Sequence, residues 1–153
     1  MKSTKVAGDA GLETRVVVLD SGEEAVAALT KFANDAQLTT ASLTAIGAFE
    51  KATIGWLDFE NKTYKKIEVE EQCEVVSAIG DVAIGDDSNA SLHVHVVLGL
   101  SNGMTRGGHL LAGTVRPTLE VVLIDTPSHL RRKKKPDLGI ALIDLEADKR
   151  TGK

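Results

Sequence analysis

Three of the four histidines stand close together, His93 and His95 in Leu92-His93-Val94-His95-Val96-Val97-Leu98-Gly99 and His109 in Gly107-Gly108-His109-Leu110. Neutral imidazole is a ligand for zinc and other first-row transition metals, whereas magnesium and calcium prefer oxygen. Side chains alternate along a strand, so His93 and His95 share one face while Leu92, Val94, Val96 and Leu98 take the other. Ser101-Asn102-Gly103-Met104 carries an Asn-Gly turn signal. A hairpin there returns His109 beside the pair, and Gly107-Gly108 can supply a bulge that sets its facing. Zinc on three protein nitrogens, at about 2.0–2.1 Å, keeps an open fourth position, the pattern of catalytic rather than structural sites. A water there would have its pKa lowered to about 7, or the ion would polarise a substrate carbonyl. The competing reading is two solvated strand histidines with a third nearby by coincidence, and spacing alone leaves both open.

Glu120 is the nearest downstream carboxylate inside a predicted strand and is the candidate catalytic group if the protein is an enzyme. With Arg116-Pro117 read as a turn, Glu120 opposes Gly113, about 13 Å along the strand from His109. That favours a contact to substrate, to the ligands' surroundings or to a partner subunit over direct ligation; a solvated strand residue is the alternative. Arg131-Arg132-Lys133-Lys134-Lys135 is the dense basic run and the candidate nucleic-acid contact, through phosphates. Against it stands a solvated loop held open by like charges. No aromatic side chains interleave to stack on bases, and no helix-turn-helix or zinc-finger spacing is present.

These residues need a scaffold of strands. The chain has 153 residues, 42% hydrophobic and 26% charged, enough for one domain with a sizeable core. Aromatics make up only 3%, so Val, Ile, Leu and Ala must build that core, with 14 glycines at turns and bulges. A net charge of -4 gives no global attraction to nucleic acid. Cys73 is the single cysteine, which excludes an internal disulfide and a thiolate zinc cluster and fits a reducing, cytoplasmic setting. No apolar run approaches the roughly 18 residues of a membrane span, and the N-terminus lacks the apolar region of a secretory signal.

Residues 15–20 read as a first strand. Ser21 with Glu24 reads as a capping box, and Val26, Leu29, Phe32, Ala33 and Ala36 give the apolar stripe of one helix. Short β-branched runs follow at 43–49, 52–57, 64–69 and 74–84, the last bent at Gly80, with a loop at Asp86-Asp87-Ser88-Asn89. Beyond the histidines, strands are expected near 108–115, at 118–125 after a turn at Pro117, and at 140–145, with 126–136 irregular. Many strands around one main N-terminal helix, with only short additional helices or turns, predict an α+β fold with a mostly antiparallel sheet. Residues 1–12 and 147–153 are expected to be flexible, leaving 13–146 as the domain.

The order Ser21-Gly22-Glu23-Glu24, Ile46-Gly47-Ala48-Phe49, Glu74-Val75-Val76-Ser77, His93-Val94-His95, Gly107-Gly108-His109-Leu110 and Thr118-Leu119-Glu120-Val121-Val122 resembles the plants and prokaryotes conserved (PPC) domain over roughly residues 13–125. The Gly-Gly-His-Leu element after His-x-His is its specific part. The resemblance implies a homotrimer of single-domain subunits, to which prokaryotic members add a provisional DNA-binding role. It also implies a metal on His93, His95 and His109. The fold is similar to part of acetolactate decarboxylase, a zinc enzyme, which favours zinc here. Three functions follow as expectations: a DNA-associated trimer with a zinc site, a zinc-dependent lyase or hydrolase of a small oxygenated substrate, or an oligomerisation module stabilised by metal.

Overall fold

The alternation that sets the histidines on one face runs through most of the chain, and in the computed structural model, which describes residues 1–9 and 11–146, it becomes strand. In order the elements are β1 (Lys2–Asp9), β2 (Leu12–Asp20), α1 (Ala25–Asp35), β3 (Thr40–Asp58), β4 (Thr63–Val69), β5 (Cys73–Ile84), β6 (Ala90–Gly99), β7 (Thr105–Asp125), β8 (Arg132–Lys135) and β9 (Ile140–Ile143). The main sheet runs β1-β2-β7-β6-β5-β3-β4, each pairing antiparallel. β7 also bonds β3, so β3, β5, β6 and β7 form a closed circuit around the core. The α+β class is as expected, and among the described residues α1 is the single helix. None is long and apolar enough to cross a membrane.

Inward positions are filled by aliphatic side chains with Phe49 among them, and Val17, Leu19, Phe49, Ile54, Leu98, Val115 and Val121 have no exposed surface. Each such burial contributes about 1.5–3 kcal/mol, which lets a core poor in aromatics hold. Cys73 is buried among these residues, and burial pushes its thiol up, away from thiolate chemistry.

The helix starts later than the Ser21 capping box predicts. Gly22 has φ +88, outside the helical region, so Ser21 and Gly22 form a turn and Glu24 becomes the N-cap. Its carboxylate accepts from the N–H of Val26 at 3.2 Å and Ala27 at 2.7 Å, and from Gly113 on β7 at 3.0 Å. Ala25, Leu29 and Ala33 then face the core at helical spacing. One side chain therefore caps α1 and ties it to the sheet. Glu24→Ala is expected to cost about 2 kcal/mol, a lost cap plus a stranded backbone donor, read as a lower urea midpoint at unchanged slope.

Three further expectations are corrected. Residues 2–9, expected to be loose, pair with β2 from Lys2↔Val18 to Asp9↔Leu12. Pro117 does not reverse the chain: β7 continues through Arg116-Pro117, a cis peptide, at the point where its pairing with β3 jumps from Phe49↔Val115 to Gly47↔Leu119. A residue without an N–H is tolerated at such an irregularity because no ladder bond is required there. Arg132 to Lys135 of the basic run form a strand, β8, paired with β9 in a separate two-stranded sheet, and β9 ends at Ile143 rather than 145. Residues 147–153, expected to be flexible, lie outside the described residues.

Candidate metal centre

β6 begins at Ala90, whose N–H donates to Asn34 Oδ1 of α1 at 2.8 Å. From this anchor Val94, Val96 and Leu98 point into the core and His93 and His95 out of it. The return to β7 is a short turn in which the Leu100 and Met104 backbones bond, Gly103 takes φ +79, and Asn102 Oδ1 accepts the Met104 N–H. It sets His95 opposite His109 and Val97 opposite Gly107 in an unbroken ladder. The bulge expected at Gly107-Gly108 is absent because this register already brings His109 to the pair. Gly108 instead permits close approach: a Cβ there would lie 2.7 Å from the Gly55 carbonyl oxygen.

His93 Nε2 and His95 Nε2 are 3.1 Å apart. The His109 ring centroid is 5.1 Å from that of His93 and 5.5 Å from that of His95, and the candidate ligand atoms of all three residues lie within 4.8 Å of one another. Tyr64 of β4 stacks on His109 with centroids 4.8 Å apart. Gly55 leaves room for that ring, since a Cβ would meet Tyr64 Cδ1 at 2.8 Å.

Burial first, then the neighbouring imidazoles and the Arg132 guanidinium, which disfavour a further positive charge, hold the His109 pKa down at about 4. Burial and Arg132 also lower His93, against the pull of Asp81. Both rings are therefore neutral at neutral pH, with lone pairs to offer. His109 Nδ1 is buried without a hydrogen-bond partner, a condition that costs about 1–3 kcal/mol when nothing offsets it. Zinc bonds of about 2.0–2.1 Å in a tetrahedron set nitrogens about 3.4 Å apart, close to the His93–His95 separation. The donor set thus fits zinc in element type, and the His93–His95 pair fits it in spacing.

Around the histidines lies a cavity of about 290 Å³ lined by Tyr64, His93, His109, Arg132, Ile140 and Leu142, among others. Arg132 is only 4% exposed. Its Nη2 bonds Asp81 Oδ1, and its Nη1 donates to the Ser91 carbonyl at 2.8 Å and to Ser91 Oγ at 3.2 Å. Tyr64, Asp81 and Ser91 also belong to this site, and no spacing in the sequence reveals them. A charged residue in the middle of the apolar strand at 74–84 was the available signal for Asp81.

Glu120 is not at this site. With β7 continuous it pairs with Val18 and Ile46, on the order of 35 Å of strand beyond His109 at about 3.3 Å per residue. It is exposed, beside Thr44, Ile46, Ser77 and Val122. The basic run is divided. Arg132 is buried as described, Lys133 and Lys135 lie 3.4 and 3.9 Å from Asp144 Oδ2, and Arg131 and Lys134 are exposed.

Residues 7–127 match the Plants and Prokaryotes Conserved (PCC) domain. The chain belongs to this family. A PCC-family structure from Pyrococcus horikoshii is 31% identical with a TM-score of 0.82, covering 91% of this chain and 96% of that one. A metal-containing protein from Archaeoglobus fulgidus is 30% identical with a TM-score of 0.79, covering 94% and 99%. A Bacteroides thetaiotaomicron protein with a provisional DNA-binding name is 26% identical, TM-score 0.86, covering 95% and 97%. Alpha-acetolactate decarboxylase from Bacillus subtilis shares the fold at 13% identity and a TM-score of 0.53, covering 88% of this chain and 62% of its own. No curated protein matches the sequence.

Proposed function

We propose that this PCC-domain protein holds zinc on His93, His95 and His109 and takes a small oxygenated molecule in the adjoining cavity. The observation that carries the reading is the convergence of three imidazoles within 4.8 Å, with His109 Nδ1 buried and unpartnered. The metal-containing relative from Archaeoglobus fulgidus supports it. Bound zinc would supply a Lewis acid. The protein's own residues limit the chemistry: Tyr64 and Gly55 fix the His109 ring, and the β8–β9 hairpin walls the cavity with Ile140 and Leu142. With Glu120 of the same chain remote, a lyase or hydrolase would need a different proton carrier. The test is elemental analysis of purified protein. About one zinc per chain is expected in the wild type and none in His93→Ala; no metal in either overturns the reading.

DNA association is a second reading, supported by the provisional name of the Bacteroides relative. On this chain it rests on Arg131 and Lys134, with Lys133 and Lys135 shared with Asp144. Duplex affinity at low salt that falls steeply as salt rises would support it, and no binding at low salt would end it. The homotrimer is proposed on the family resemblance and on an outward sheet face where Ile46, Ile79, Val97, Val122 and Ile124 are all exposed.

A further inference from the structure

The three ligands are not equally supported from behind. Asp81 of β5 sits directly across the ladder from His93, on the same sheet face. Its two oxygens have separate neighbours: Oδ1 takes the Arg132 guanidinium, and Oδ2 stands 3.9 Å from His93 Nδ1. The other ring nitrogen, Nε2, faces His95. The two nitrogens of His93 are thereby divided between a carboxylate and the ligand cluster. Nothing comparable stands behind His109, where Tyr64 covers the ring and Nδ1 lacks a partner.

We propose that Asp81, held in place by Arg132, is the positioning residue of the metal centre: it accepts the Nδ1–H of His93 and leaves Nε2 as the ligand atom. This rests on the reading of the histidines as metal ligands. A separation of 3.9 Å is longer than a hydrogen bond, so the proposal requires the His93 ring, whose side chain is 37% exposed, to turn toward Asp81. Carboxylates that accept the second N–H of a ligating histidine fix its tautomer and raise its basicity.

Arg132 makes the arrangement rigid. Its guanidinium is buried and shared between Asp81 and both oxygens of Ser91, the residue two before His93 on β6. One side chain therefore fixes the carboxylate and the strand that carries the ligand. Because Arg132 opens β8, the same contacts join the β8–β9 hairpin to the metal centre. This gives the buried member of the basic run a role unrelated to phosphate.

The test begins with wild-type protein freed of metal, using long-range proton–nitrogen NMR of the imidazoles. His93 is expected as the Nδ1–H tautomer; a proton on Nε2 instead would overturn the proposal. Zinc affinity by chelator competition is then compared for wild type and Asp81→Asn. A loss of about 10–100-fold is expected, together with a shifted visible spectrum of the cobalt(II)-loaded protein. Affinity and spectrum unchanged in a folded variant would overturn it. If Asp81→Asn fails to fold, the wild-type tautomer decides. Wild type that binds no zinc would instead refute the metal reading itself, a separate outcome.

Discussion

Chelating the metal from zinc-loaded protein is expected to lower its melting temperature by roughly 8–16 °C. Zinc at a thousandfold over its Kd stabilises the native state by about 4 kcal/mol, and a domain of this size shifts by about 2–4 °C per kcal/mol. The size follows from where the ligands sit. His93 and His95 lie on β6 and His109 on β7, paired directly through the ladder from His95↔His109 to Gly99↔Thr105 and the turn at Ser101–Met104. An ion on all three would cross-link that hairpin where the ladder ends, and an unfolded chain lacks the third ligand's placement. His95→Ala should abolish the chelator effect yet leave the metal-free melt close to wild type, because His95 is exposed and supports no core packing. A melt that chelation does not move, in protein shown to carry zinc, would exclude a stabilising role. Sedimentation under the same conditions separates the oligomerisation reading, which requires the assembly to dissociate when zinc is removed.

The histidine cluster was legible because it depends on local rules. Strand alternation put His93 and His95 on one face, and an Asn-Gly turn of the right length returned His109. The helix was legible from its apolar stripe, but not its start, since Glu24 caps by reaching a β7 N–H that no local pattern reveals. Glu120 was misplaced for a related reason. Pro117 signals a turn wherever only its neighbours are considered, and it sits within a strand here because β7 and β3 fall out of register at that point. β8 was invisible to hydrophobic patterning: it is held by Arg132 in a polar niche and by Asp144 beside Lys133 and Lys135, not by an apolar face. The β1–β2 pairing likewise joins a mostly polar segment to an edge, where alternation carries little signal. What sequence could not supply was the surroundings of the site, since Tyr64, Asp81 and Arg132 come from separate elements brought together by the closed sheet.

Gly80→Ala is expected to destabilise the fold by about 3 kcal/mol, at the upper end of overpacking costs, and to weaken zinc binding at the same time. Gly80 lies on β5 between Leu43 of β3 and Val94 of β6. An added Cβ would fall 2.2 Å from the His93 carbonyl oxygen and 2.9 Å from Val94 Cα. Both are backbone atoms of a paired strand, so no rotamer change relieves the clash and β6 must move at the residue that carries a ligand. That displacement would also part His93 from Asp81, linking the stability loss to the metal site. Gly107→Ala is the informative comparison on β7. Its Cβ would lie 3.2 Å from the Val96 carbonyl oxygen, a contact that a few tenths of an ångström relieves, and loss of glycine's freedom in the unfolded chain offsets part of the cost. Urea midpoints at unchanged slope, read beside zinc affinity, should therefore place Gly107→Ala within about 1 kcal/mol of wild type. If the two variants prove equally stable, the close passage of β5 and β6 at Gly80 is not what holds His93 in position.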